Sequence, residues 1–124
     1  MQDEPRPDEL TRAVADFLRN DIAPLISGHN AFKLRVAINA LDLVTRQLTL
    51  EQGGDVAEIA RLAEVLGRDG SLLDLNRVLA ERIAAGKLDL DTPGLAEHLW
   101  QTTMDKLAVD QPNYAAYKRE LGKT

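Results

Sequence analysis

Apolar residues recur along this chain at spacings of three and four, the signature of helices that bury one face. Leu10, Ala13, Val14, Phe17 and Leu18 form the first such stripe, with Asp8 before it as an N-cap. Ile22, Leu25 and Ile26 continue it. Pro24 has no amide hydrogen and disfavours helix at Ala23, so a kink or a short second piece is predicted there. Ser27-Gly28 stops it. A second helix is predicted over residues 29 to 50, followed by a turn at Glu51-Gln52-Gly53-Gly54. Asp55 then caps a third helix carrying Val56, Ile59, Ala60, Ala63 and Leu66, which ends at Gly67. Ser71 with Asp74 resembles a capping box and opens a fourth, with Leu72, Leu75, Val78, Leu79 and Ile83 on its apolar face and Gly86 as its terminator. Thr92-Pro93 reads as a cap and first helical residue of a fifth. That helix runs to about Val109, with Leu95, Leu99, Trp100, Thr103, Met104 and Leu107 as inward candidates. Pro112 ends it or opens a short last helix in which Tyr114, Tyr117 and Leu121 share a face.

No β-alternation competes with this pattern, so the fold class is all-α: one bundle of five to six helices over residues 8 to 124, after a loose polar arm at residues 1 to 7. The segment from 29 to 50 is apolar around most of its circumference and is expected at the centre, surrounded by the other helices.

One strip interrupts it. Arg35, Asn39, Asp42 and Arg46 are spaced by four, three and four, so each neighbours the next on one face, and Asp42 precedes Arg46 in the favourable order for an ion pair. The strip is a solvent face laced by weak pairs, the wall of a groove, or a buried network. In a groove, two guanidinium groups and an amide suit a carboxylate or phosphate, because the guanidinium fork matches planar anions. Trp100 has two readings as well, a surface anchor for a partner protein or a side chain at the core edge, and Tyr114 is a second anchor candidate.

Composition narrows the functions. The 124 residues amount to one domain, and 44% hydrophobic content is enough for a core. Absence of cysteine removes disulfides, thiolate metal sites and a cysteine nucleophile. With no long apolar run and no charged-then-apolar leader, a cytoplasmic protein without a membrane role is expected. A net charge of −5 and 4% aromatic content argue against nucleic acid as a partner. The two histidines, His29 and His98, have no acidic residue at metal-ligand spacing, so no metal is expected. Ser27 and Ser71 lie outside any nucleophile elbow, and Gly53-Gly54 is not a phosphate loop, so neither catalytic residue nor cofactor is expected.

The opening Met-Gln-Asp-x-Pro, the block AFKLRVAINALDLVTRQL, the segment LNRVLAERIAAGKLD and the terminal TTMDKLAVDQPNY together resemble a bacterial family of short, uncharacterised helical proteins. Members of that family are often encoded beside proteins like aminoglycoside phosphotransferases and acyl-CoA dehydrogenases. The resemblance covers nearly the whole chain and implies an accessory role in acyl-CoA or related catabolism, through a partner. Arg35, Asn39, Arg46, Lys106 and Asn113 lie in the matching blocks, and the resemblance assigns them no roles. Three functions follow as expectations: a non-catalytic interaction module, as a homo-oligomer or with a phosphotransferase-like or dehydrogenase-like partner; a binder of an anionic small molecule such as an acyl-CoA or phosphorylated metabolite; and, weakest, an unrecognised enzyme.

Overall fold

The computed structural model describes residues 4 to 123, so the first three residues of the expected arm lie outside the described part. Its described residues are all-α, as predicted: α1 (Pro7–Phe17), α2 (His29–Leu66), α3 (Leu72–Ala84), α4 (Leu95–Asp110) and α5 (Ala115–Leu121). The chain divides into two compact units, Met1–Glu51 and Gln52–Thr124.

In the first unit α1 starts two residues earlier than the cap reading required. Arg6 is the N-cap and Pro7 the first helical residue, where a missing amide hydrogen costs nothing. Asp8 sits in the first turn instead, bonded by Arg6 at 3.3 Å. Burial raises the Asp8 pKa, but the hydrogen bond and charge of Arg6, aided by the backbone and Arg12, outweigh this and hold it below the usual carboxylate range. The disturbance expected at Pro24 is real and spread over two turns. Leu18–Ile22 widens into a π-helical turn, the Ala23 amide donates to the Leu18 carbonyl, and Ala23–Leu25 tightens to 3-10 geometry. Gly28, at φ +70°, then breaks the chain before α2.

The first half of α2 runs antiparallel to α1. The Thr11 and Thr45 hydroxyls meet at 2.6 Å, and Thr49 reaches Asp8 at 3.5 Å. Ala15, Ile38 and Thr45 are buried along this seam. The remaining circumference of α2 is not enclosed as expected for a central helix. Phe32, Val36, Val44 and Leu48 are 41–57% exposed. A single neighbouring helix in this unit can cover only one face of a cylinder.

The predicted turn at residues 51 to 54 does not exist, and the second and third predicted helices are one helix of 38 residues. Asp55 therefore caps nothing. Each interior glycine costs about 1 kcal/mol relative to alanine, a penalty that the packed turns on either side can carry.

The second unit holds a leucine core. Leu62 and Leu66 of α2, Leu75 and Leu79 of α3 and Leu95 of α4 are buried together, with Ile59, Val65, Leu72, Val78 and Leu88 around them. The Arg82 guanidinium donates to the Leu66 carbonyl at 3.0 Å, satisfying a terminal acceptor of α2. The start of α3 follows the sequence: Ser71 Oγ accepts from the Asp74 amide at 3.1 Å. Its end is a Schellman turn, with the Lys87 amide donating to Arg82, the Gly86 amide donating to Ile83, and Gly86 at φ +73°. α4 starts two residues later than Thr92-Pro93 suggests, with Gly94 as N-cap. The Thr92 hydroxyl is occupied by the Asp89 amide at 3.0 Å, which makes a loop turn of that pair. On α4 the buried residues are Leu95 and His98, whereas Leu99, Trp100 and Thr103 are exposed, contrary to their inward assignment.

Candidate functional site

The α2 strip lies wholly in the first unit. Arg35 and Asn39 are exposed, and Asp42 and Arg46 are half-buried. One helix brings the four together, at the spacing that the sequence predicts. The partner of Asp42 comes from elsewhere in the chain: Arg19, in the π-helical turn, donates to the Asp42 carboxylate and also bonds Asp16 at 3.0 Å. The strip is therefore tied to the turn after α1. Chemically it is a mixed, mostly solvated surface, with the Arg35 guanidinium and the Asn39 amide offering donors side by side.

In the second unit, Trp100 on α4 and Tyr114, the N-cap of α5, are each 54% exposed. Trp100, an inward candidate by its helical spacing, is thus half-exposed. Indole and phenol rings held half in water by ordered backbone are the side-chain types that anchor protein interfaces.

The same helix carries a polar network that the sequence reading missed. Arg61 of α2 donates from Nε to His98 Nδ1 at 3.2 Å and from Nη2 to Thr102 Oγ1 at 3.3 Å. Asp105 lies 3.7 Å from the same guanidinium. His98 is 2% exposed, and its neutral form, with the proton on Nε2, is the one that can accept at Nδ1. Burial first, then the Arg61 charge, lowers the His98 pKa, and Glu58 opposes them. His98, Thr102 and Asp105 are spaced by four and three, so one polar face of α4 was visible in the sequence. Arg61, 37 residues from His98, was not. Arg61 Nε and Nη2, His98 Nδ1 and Thr102 Oγ1 are all engaged with one another, which suits the network to fixing α4 against α2. Among the described residues no group of three or more His, Cys, Asp or Glu side chains could hold a metal ion, and no helix is long and apolar enough to cross a membrane.

Comparison with known proteins adds a family. Residues 24–114 match DUF6285, a domain of unknown function. The chain belongs to that family. The DUF6285 match spans the last turn before α2 through to Tyr114, so it takes in the strip, the Arg61–His98 network and both exposed aromatic rings. No curated protein and no solved structure matches the chain.

Proposed function

We propose that this DUF6285 protein is a non-catalytic accessory module that docks on a partner enzyme through the exposed aromatic residues of its second unit. The observation that carries the reading is the half-exposure of both Trp100 and Tyr114 in a chain with only 4% aromatic residues. Rings of this kind supply a large share of interface energy when a partner covers them. The resemblance drawn from the sequence blocks directs the search to a phosphotransferase-like or acyl-CoA dehydrogenase-like partner in acyl-CoA catabolism. Co-expression with each candidate, followed by affinity purification, tests it. The expected result is a complex that Trp100→Ala and Tyr114→Ala weaken by tenfold or more. A chain that elutes alone beside both candidates refutes the proposal.

A second reading is an anion-binding surface on the α2 strip, for an acyl-CoA or a phosphorylated metabolite. The engagement of Asp42 by Arg19 favours it, because the one carboxylate of the strip is already paired while Arg35 stays exposed. Coenzyme A or inorganic phosphate then raises the melting temperature, since selective binding to the native state stabilises it. Arg35→Ala removes that shift. An unchanged melting temperature in millimolar ligand excludes this reading.

A further inference from the structure

The first unit leaves one side of its helical hairpin apolar and bare. At ~100° per residue, Lys33, Ala37, Ala40, Val44, Leu48 and Glu51 fall within about 80° of one another on α2. All six are exposed. On α1, Leu10, Val14 and Phe17 make a parallel stripe, 45–53% exposed. Both stripes lie on the same side of the hairpin. Thr11 and Ala15 face the seam from α1, and Ile38 and Thr45 face it from α2. The Arg19–Asp42 pair marks one flank of that seam, and the apolar stripes of both helices turn to the other.

The α2 stripe has an order that matches its own reverse. Its ends carry opposite charges, Lys33 and Glu51. Between them the N-terminal half is small, Ala37 and Ala40, and the C-terminal half is large, Val44 and Leu48. Lys33 and Glu51 are eighteen residues apart, about five full turns, so they point the same way. Inverting the helix about residue 42 sets each small residue against a large one and each charge against its opposite. A parallel pairing would instead set Lys33 on Lys33 and Glu51 on Glu51.

We infer that this face is the interface of a homodimer, in which a second copy packs its own α1–α2 hairpin against the first about a two-fold axis near residue 42. In that arrangement Lys33 faces Glu51 of the partner subunit, Ala37 faces the partner's Leu48 and Ala40 faces the partner's Val44. The same axis brings Val14 near the partner's Phe17, and two hairpins become four helices around a shared core. An isologous contact must be self-complementary, and the stripe is so in both size and charge. Its extent also fits. With Val36 beside it, the patch presents on the order of 600 Å² of apolar surface, at the upper limit of what monomers leave bare and close to the ~800 Å² per partner of a standard interface.

Sedimentation of the full chain between 1 and 100 µM tests this. The expected species is a dimer of about twice the 13.7 kDa chain mass. Val44→Glu is expected to weaken it at least a hundredfold, leaving a monomer with unchanged helicity by circular dichroism. Lys33→Glu places like charges together twice in the symmetric interface and is expected to raise the dimer Kd about tenfold, from two pairs of surface-type strength. Lys33→Glu combined with Glu51→Lys restores it, an outcome that only the antiparallel register gives and that does not depend on Val44→Glu folding. A monomer at 100 µM overturns the inference. So does a dimer indifferent to Lys33→Glu, or one that the double exchange fails to restore.

Discussion

His98 shows how one buried side chain can make the second unit sensitive to pH. Folded, it is neutral and accepts from Arg61, with a pKa held below its usual value by burial and by that guanidinium. Unfolded, it titrates near ~6.5. The unfolded chain therefore binds more protons than the native one once the pH drops past ~6.5, and stability falls with it until the folded pKa is reached. Urea denaturation at pH 7.5 and 5.5 should show a lower midpoint at the acidic value, and His98→Asn should lose this part of the pH dependence. An equal drop in both proteins would place the titration elsewhere. Leu62 makes the contrasting case, a fully buried apolar residue with no polar role. Leu62→Ala should cost about 3 kcal/mol by the same measurement, through lost burial and the cavity that remains.

Elements that carry their own punctuation were readable from the chain, and those decided by packing were not. Ser71 was legible as a cap because the hydroxyl and the amide it accepts from are three residues apart. Ser71→Ala should cost about 1 kcal/mol of unfolding free energy. Gly86 was legible as a stop because its left-handed backbone conformation disfavours other residues. Gly53-Gly54 misled, since two glycines look like a turn whenever the flanking helices are taken as separate. In the structure both are helical, and a methyl group added at either meets nothing within 4 Å. Gly53→Ala and Gly54→Ala should each therefore stabilise the protein by about 0.5–1 kcal/mol, with the thermal midpoint as readout. A loss of stability at either position would mean that α2 is interrupted there. The candidate site was legible to the same extent. The spacing along α2 assembled Arg35, Asn39, Asp42 and Arg46 correctly, because it is local. It could not supply Arg19, 23 residues away, nor show that Trp100 faces outward, because His98 takes the interior position on α4.

At the scale of the molecule, the two proposed surfaces belong to different units: the α2 stripe to Met1–Glu51, and Trp100 and Tyr114 to Gln52–Thr124. Separate placement implies separable loss. Substitutions at exposed positions away from the core usually change stability by less than about 0.5 kcal/mol, so Trp100→Ala and Tyr114→Ala should fold normally and still dimerise. A dimer binds only its native partner, so its melting temperature should climb with protein concentration, and that climb should persist in Trp100→Ala and vanish in Val44→Glu. Val44→Glu, in turn, should retain capture of the partner enzyme, with any fall in apparent affinity limited to the avidity that two linked copies supply. Differential scanning across a hundredfold range of concentration, paired with the co-expression capture, reads both halves at once. If Val44→Glu lost the partner completely while staying helical, the docking surface would have to include residues of the α1–α2 hairpin. The assignment of partner binding to the second unit alone would then be wrong.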